Sequence, residues 1–308
     1  MLYVVQRIAQ ALISLLGVAT LIFFILRLTG DPVLLMVPQD STAEEIAVMR
    51  EALGLDQPLG LQYVEYLGQI FTGDLGRSYI QNAPVSDLIM DRLPYTIDLA
   101  MAAFILTVLI GIPIGMLAAL YKGTWVERVC MPIILIGQSM PAFWTGILLI
   151  MLVSVQLKWL PSSGVDGLES LILPAITLAS LSIATVARMT RSSILEQLGQ
   201  DYVRTARSKG ASTMRILFRH LLRNSSIPII TVLGLEFANL LGGSVITETI
   251  FAWPGLGQLT IQSISARDFP VIQAVVLLGA SFYIIVNLLT DLIYGWVDPR
   301  IKLRRDAS

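Results

Sequence analysis

The sequence contains few cysteines, few histidines and little charge. Of its 308 residues, Cys130 is the one cysteine and His220 the one histidine. A lone cysteine excludes a disulfide framework within the chain. This pair is also too small a ligand set for a zinc or copper site, so we expect no metal to be bound. Charged residues make up 14% of the chain, against about 25% in soluble domains.

Apolar residues make up 55% of the chain, and its mean hydropathy is +0.74. Apolar runs of the length that crosses a bilayer recur along it, which predicts an all-α polytopic membrane protein in a lipid bilayer. The first run is too long for a signal peptide and is expected to be an uncleaved anchor. The fourth is short and polar, so it should face protein. The six predicted spans are Ile8–Leu28, Ile97–Leu120, Met131–Leu157, Leu171–Ala187, Ile227–Ile250 and Val271–Val297.

Lysine and arginine concentrate in alternate loops, which predicts the orientation of the spans. The cationic set comprises Arg7, Lys122, Arg128, the run Arg188–Arg223, Arg300, Lys302, Arg304 and Arg305. Both termini are therefore expected in the cytoplasm. The predicted regions are a cytoplasmic N-terminus with the first span (1–28), an extracytoplasmic outer loop (29–96), a five-span core (97–297) with a cytoplasmic loop (188–226), and a cytoplasmic tail (298–308).

The outer loop is too small for an enzyme domain, but it is large enough either to dock a partner or to form a solvated cap. Thr42–Leu53 is predicted to be helical, because Ser41 or Thr42 can cap it and Gly54 ends it. Gln62–Phe71 is a second candidate helix, and Gly73–Gly76 a turn. In the spans, Gly111 and Gly115 should permit close packing. Kinks are expected at Pro113, Pro132 and Pro141.

A basic stretch, Asp201–Gly234, lies between two predicted spans. Gly210 interrupts its helical character, and Ser212 can cap a short helix over Thr213–Leu222. A helix of that length is marginal alone in water and needs a surface to lie on. Four interpretations remain open from the residues: a topogenic loop, a helix on anionic lipid, a calmodulin-like target, or a docking element for another protein.

Several motifs resemble one family, the ABC-importer permeases of the dipeptide, oligopeptide, nickel and glutathione branch. The stretches D-Y-V-R-T-A-R-x-K-G and R-x-x-x-R-N-x-x-I-P are similar to that branch's variant of the EAA loop. Arg204, His220 and Arg223 replace the Glu, Ile and Pro of the general pattern. The resemblance extends along the chain through residues 29–32, 53–59, 73–78, 250–257, 267–273 and 298–300.

The resemblance implies a type I ABC-importer permease fold with six transmembrane helices in a bacterial inner membrane. It also implies a second homologous permease, two cytoplasmic ATPases that carry ATP and Mg, and an extracytoplasmic substrate-binding protein. This chain has no G-x-x-x-x-G-K-[ST] loop, so we expect it to hold no cofactor, to be no enzyme and to bind no nucleic acid. The helix after Gly210 would be the coupling helix. The implied ATPase-coupling residues are Thr205, Ala206, Lys209, Gly210, Ala211, Ser212, Arg215, Arg219 and His220.

Glu236 lies in the middle of the fifth predicted span, where a carboxylate is costly unless it faces protein or water. It is either a path residue that meets the amino group of a peptide or a structural hydrogen-bond partner of a neighbouring span. Asn239 lies one turn away, and Gln138 and Ser139 are further path candidates. Near the outer ends of the spans, Glu248, Trp253 and Asp268 are candidates for a gate or for docking of the binding protein. No nucleophile–His–acid set accompanies His220, so no catalytic residue is expected.

The leading functional prediction is a permease subunit that forms half of the translocation path for di- or oligopeptides. Within the family, import of a nickel chelate or of glutathione is the alternative. A proton-coupled secondary transporter is the alternative from another class. It predicts more buried carboxylates and inverted repeats, and neither is clear in the sequence.

Overall fold

The computed structural model describes residues 2–37, 41–242 and 244–297. These residues form helices joined by turns, and no strand longer than the isolated bridge between Arg77 and Pro84 occurs among them. The chain divides into two compact units. Unit 1 comprises residues 1–96 and 254–284, and unit 2 comprises residues 97–253 and 285–308.

Unit 1 contains the first helix, the helices of the outer loop and two helices from the C-terminal part of the chain. In chain order they are α1 (Leu2–Thr29), α2 (Val33–Met36), α3 (Ala43–Ala52), α4 (Leu59–Thr72), the start of α5 (Val85–Leu106), α15 (Leu256–Ala266) and the first part of α16 (Phe269–Val297). Its apolar core joins α5, α15 and α16 through Val85, Ile89, Leu259 and Val271. The Thr96 hydroxyl accepts a hydrogen bond of 2.8 Å from the Leu256 amide, which fixes the start of α15.

The outer-loop helices confirm the sequence signals. Thr42 forms a capping box with Glu45 at the start of α3, so the first turn has its amides satisfied. Gly73 follows α4 in the left-handed region at φ 76°, and Gly76 has the same φ. That backbone conformation is inexpensive only for glycine, so the glycine spacing predicts this turn correctly.

Unit 2 contains the remaining helices, which include three π-helical segments. These elements are the rest of α5, a π segment at Thr107–Gly111, α6 (Ile112–Leu120), α7 (Trp125–Ser139), α8 (Ala142–Leu149), a π segment at Ile150–Gln156, α9 (Glu169–Leu198), α10 (Asp201–Ser208), α11 (Thr213–Ile216), a π segment at Leu217–Leu221, α12 (Leu222–Asn224), α13 (Ser226–Gly242) and α14 (Val245–Ile250). Helix α9 is central, because α6, α7, α8 and α13 all pack against it.

Among the described residues, four helical segments are long and apolar enough to cross a membrane, and two bent pairs raise the number to six if each pair is one span. The single segments are Ala9–Thr29, Val85–Leu120, Glu169–Leu198 and Phe269–Thr290. The bent pairs are Trp125–Ser139 with Ala142–Gln156, and Thr213–Asn224 with Ser226–Gly242. The polytopic helical prediction is confirmed, whereas the exact number of spans and the cytoplasmic termini stay predictions.

The helices differ from the predicted spans in several of their bounds. The fourth span is not short, because α9 runs over 30 residues. Its expected packing against protein is confirmed, since 61% of its apolar window is buried. The kink expected at Pro141 is confirmed: the third predicted span bends by 106° between Ser139 and Ala142, because Pro141 cannot continue a hydrogen-bonded helix. The fifth ends early, since α13 stops at Gly242 and α14 is separate. The second begins earlier than Ile97, at Val85.

Some sequence predictions lie outside the described residues. The tail, 298–308, is one of these, and it includes the motif at 298–300 and the last four cations of the orientation argument.

Candidate functional site

The basic segment, defined here as residues 201–224, consists of α10, a turn at Gly210 and a helical stretch from Thr213 to Asn224. Helix α10 ends at Ser208, and the Ala211 amide donates to the Ala206 carbonyl at 3.1 Å. Gly210 lies in the left-handed region at φ 75°, and its amide donates to the Arg207 carbonyl at 2.9 Å. This geometry closes the C-terminus of α10.

Ser212 begins the second helix of the basic segment. Its hydroxyl accepts a hydrogen bond from the Arg215 amide at 3.4 Å, and its carbonyl accepts one from the Ile216 amide at 3.0 Å. This is the N-cap that the sequence predicted. The predicted helix, Thr213–Leu222, is confirmed in extent, but its middle is a π-helical turn over Leu217–Leu221 rather than regular α-helix.

An apolar cluster anchors the basic segment to the rest of unit 2. Val203, Ile216, Leu217 and Leu221 are buried there together with Ala119 and Ile194. Each is at most 3% exposed. One side of the segment therefore packs on α6 and α9, which supplies the surface that a short helix needs.

The cations of the segment remain on its exposed side. The exposed basic residues are Arg204, Arg207, Lys209, Arg215, Arg219 and Arg223. Thr205, Gly210 and Ser212 are also exposed, and Ala206, Ala211 and His220 are half-buried. One acid, Asp201, approaches these cations: its Oδ1 lies 3.8 Å from Arg204 Nη1, and both side chains are strongly exposed. An exposed pair of this kind contributes little, so the surface is cationic.

Two polar contacts on α9 were not found by the sequence reasoning. Arg191 forms an ion pair with Glu127, whose other carboxylate oxygen accepts from the Gly123 amide at 2.7 Å. Arg188 Nη1 donates to Gln138 Oε1 at 2.9 Å. Each contact joins α9 to α7. The sequence had marked Arg188 and Arg191 only as part of the basic run on the cytoplasmic side.

The path candidates occupy different environments. Glu236, on α13, is half-buried, and its Oε2 accepts from the Ser182 hydroxyl at 2.6 Å. Asn239 is exposed one turn further on. Gln138 is held by Arg188, and the exposed Ser139 donates back to the Leu135 carbonyl at 2.8 Å, beside the break in the third span.

The gate or docking candidates are buried. Glu248 is fully buried, its Oε1 accepts from the Ser244 hydroxyl at 2.7 Å, and its carbonyl accepts from the Trp253 amide at 2.8 Å. Trp253 is 4% exposed. In unit 1, Asp268 accepts hydrogen bonds from the Ser78 hydroxyl and from the Tyr79 amide at 3.0 Å. Of these three side chains, Asp268 is bonded directly to backbone, through the Tyr79 amide.

The part of the chain that the structure describes contains no group of side chains that could bind a metal ion. Within residues 2–37, 41–242 and 244–297, no three His, Cys, Asp or Glu side chains are grouped as a metal site would need.

Two related protein families match this chain, one in its N-terminal part and one in the remainder. The family described as binding-protein-dependent transport system inner membrane component matches residues 111–303, and the N-terminal family of the same components matches residues 1–100. The glutathione transport system permease protein GsiC of Salmonella choleraesuis is 43% identical over 303 residues, which are 98% of this chain and 99% of that protein. A putative peptide transport system permease protein of Brucella abortus is 44% identical over 308 residues, at 97% and 98% coverage.

A solved structure shares the fold. The inward-facing MetNI methionine ABC transporter matches with a TM-score of 0.60 at 21% identity, covering 68% of this chain and 96% of that one. The family places the chain in a bacterial inner membrane as a multi-pass protein and as one part of a transport system that includes a binding protein. This chain belongs to the binding-protein-dependent transport system inner membrane components, as an ABC-importer permease of the peptide and glutathione branch.

Proposed function

We propose that this chain forms half of the translocation path of an ATP-driven importer for short peptides delivered by a substrate-binding protein. The observation that carries this proposal is near full-length identity of 43–44% to permeases named for glutathione and for peptides. Glutathione is itself a tripeptide, so both names point to one substrate class. A second homologous permease would supply the other half of the path.

The energy would enter through the basic segment. Its apolar side is buried on α6 and α9, and its cations are exposed, which suits a coupling helix seated in the groove of an ATPase. Two such ATPases would carry ATP and Mg, and the permease chain itself would hold no cofactor and catalyse no reaction. An acidic rim on the ATPase groove would complement Arg215 and Arg219.

The path would pass Glu236, Asn239, Gln138 and Ser139. Glu236 is half-buried and keeps one protein hydrogen bond, so its charge has a partner and yet remains partly accessible. Glu248, Trp253 and Asp268 would act in gating or in docking of the binding protein, and they would do so indirectly, because their side chains are buried.

The proposal is tested by reconstitution with the paired permease, both ATPases and the binding protein in proteoliposomes. We expect uptake of a radiolabelled dipeptide that needs ATP on the ATPase side and survives a protonophore. If this chain alone carried the dipeptide on a proton gradient without ATP, it would instead be a secondary transporter.

Glutathione is the second candidate cargo, because GsiC is similar along nearly the whole chain. Competition separates the two cargoes: unlabelled glutathione should abolish dipeptide uptake if glutathione is the preferred substrate. If a tenfold excess has no effect, the glutathione assignment fails while the peptide assignment stands.

A further inference from the structure

A cavity of about 550 Å³ lies within unit 1. Its walls come from the end of α1, from α4 and from the start of α16, and they include Phe23, Arg27, Gln62, Tyr66 and Gln273. None of these residues belongs to the basic segment or to the candidate path. Its walls carry both cationic and acidic side chains, and three of its side chains have a buried donor without a partner among the described residues.

Arg27 is held rigidly at the cavity. Its Nε donates to Gln62 Oε1 at 2.9 Å, and Gln62 is itself fixed because its Nε2 donates to the Gln57 carbonyl at 2.7 Å. The guanidinium carbon lies 4.9 Å from the ring centre of Phe23 and 5.4 Å from that of Phe269. Nη1 of Arg27 is buried and has no acceptor among the described residues.

Two further side chains at the cavity also have a buried donor without a hydrogen-bond partner among the described residues. The Tyr66 ring stacks on Phe23 at 5.5 Å, and its hydroxyl is buried with no partner in the described parts of the chain. Burial raises the pKa of Tyr66 to about 12, so this hydroxyl keeps its proton at physiological pH. Gln273 is 8% exposed, and its Nε2 likewise has no acceptor within the described ranges.

Three buried donors at one cavity are unusual, because a buried donor without a partner costs about 1–3 kcal/mol and most such groups are paired. The three side chains line the cavity, so a ligand that accepts several hydrogen bonds and carries negative charge would satisfy their donors once these turn toward it. The acids of the cavity wall do not oppose this. Glu65 and Asp74 are exposed, and Asp74 Oδ1 already accepts from the Gly76 amide at 2.9 Å.

We propose that this cavity binds an oxyanion, a carboxylate or a phosphate group, through Arg27, Tyr66 and Gln273. Two sources can supply such a group. Arg27 lies two residues from the end of the apolar segment Ala9–Thr29, a position where the phosphate of a lipid headgroup is available. A free carboxylate of a small peptide is the other source. The site does not depend on which cargo the importer carries.

The test uses the purified full chain in detergent with two probes. Phosphatidylglycerol is titrated and bound lipid is counted by native mass spectrometry. Acetyl-dialanine, which has a carboxylate and no amino group, is titrated by calorimetry against its C-terminal amide, which lacks the carboxylate. Retained lipid identifies the headgroup phosphate as the ligand, and binding of acetyl-dialanine but not of the amide identifies a carboxylate.

Three variants tie the binding to the cavity. Arg27→Met should weaken it about tenfold, and Tyr66→Phe about threefold, in line with loss of a charged and of a neutral hydrogen bond. Tyr66→Phe removes a hydroxyl that has no partner within the described residues, so it tests the site even if Arg27→Met fails to fold. Arg92→Met changes the charge equally, away from the cavity, and should bind like the wild type. Absence of binding by both probes, or equal binding by wild type and Tyr66→Phe, would overturn the proposal.

Discussion

The hydroxyl of Ser182 donates a 2.6 Å hydrogen bond to Oε2 of Glu236, which joins α9 to α13 in unit 2. Ser182 is 4% exposed, whereas Glu236 is half-buried. The structural alternative for Glu236, a hydrogen bond to a neighbouring helix, is therefore present. The carboxylate can still accept further hydrogen bonds, because one serine hydroxyl occupies only part of its acceptor capacity.

Replacing Glu236 by Gln separates charge from hydrogen bonding. Gln keeps an acceptor for Ser182 but removes the negative charge, so uptake of a cationic dipeptide should fall about tenfold while uptake of a neutral dipeptide changes little. Ser182→Ala is the matched control, since it removes the 2.6 Å hydrogen bond and leaves the charge; it should cost about 1 kcal/mol of stability without changing selectivity. Equal losses for both peptides in Glu236→Gln would assign Glu236 to structure.

Charge reversal tests the basic segment. Arg215→Glu with Arg219→Glu removes two exposed cations from its surface and should leave the protein inserted. We expect peptide transport per ATP hydrolysed to fall at least about tenfold, because complementary charges across an interface become repulsive. Lys122→Glu with Arg128→Glu makes the same change at exposed residues outside the segment and should leave that ratio unchanged. Wild-type coupling in the first double variant would contradict the docking proposal.

Gly210 tests the turn that joins the two helices. A Cβ built there meets nothing within 4 Å, but the backbone has φ +75°, which costs most residues about 1–2 kcal/mol and costs asparagine less. Gly210→Pro should uncouple transport from ATP hydrolysis, because proline fixes φ near −65° and removes the amide that bonds to Arg207. Gly210→Asn should retain most coupling. If the two variants behaved alike in the transport-to-hydrolysis ratio, the left-handed turn would be irrelevant to coupling.

Local signals in the sequence predicted local structure well. The capping box at Thr42, the turns at Gly73 and Gly210 and the Ser212 cap all follow from residue types at fixed spacing. The length of α9 did not follow, because Arg188 and Arg191 end the apolar run at Ala187, whereas the helix continues to Leu198 and is buried by tertiary contacts. A hydropathy argument assumes that a span is surrounded by lipid, whereas most of α9 is surrounded by other helices.

Contacts between residues far apart in the sequence could not be predicted, because they follow from tertiary packing. The ion pair Arg191–Glu127 joins residues 64 apart, and no periodicity relates them. The cavity of unit 1 brings Arg27 together with Gln273, from opposite ends of the chain. The positive-inside pattern predicts an orientation for Arg191 but carries no information on its partner.

Gly115 tests helix packing in unit 2. A Cβ there would overlap the Ala187 carbonyl oxygen and would lie 2.7 Å from Thr190 Cβ, so α6 and α9 would have to separate. Gly115→Ala should lower stability by about 1–3 kcal/mol, the usual cost of overpacking, measured as a reduced melting temperature in detergent. Gly17→Ala, whose Cβ meets nothing within 4 Å, should be neutral or stabilising. An unchanged melting temperature for Gly115→Ala would show that the two helices part without cost.

Tyr66 gives a prediction for alkaline pH. Burial raises its pKa from 10.0 to about 12, so the folded state holds this proton more tightly than the unfolded state does. Its contribution to stability is complete below about pH 10 and is lost as pH rises through about 12. Tyr66→Phe removes the ionisable group, so the variant should lose less stability than wild type across this window in urea unfolding followed by circular dichroism.

The matched control for that prediction is Tyr121→Phe, because Tyr121 is 49% exposed. An exposed phenol is solvated in the folded and unfolded states alike, so its removal should leave the alkaline loss of stability as it is in wild type. Parallel loss in all three proteins would show that the Tyr66 hydroxyl is not desolvated. Since the same desolvated hydroxyl is one of the three donors at the cavity, that result would also remove one of the groups proposed to bind the oxyanion.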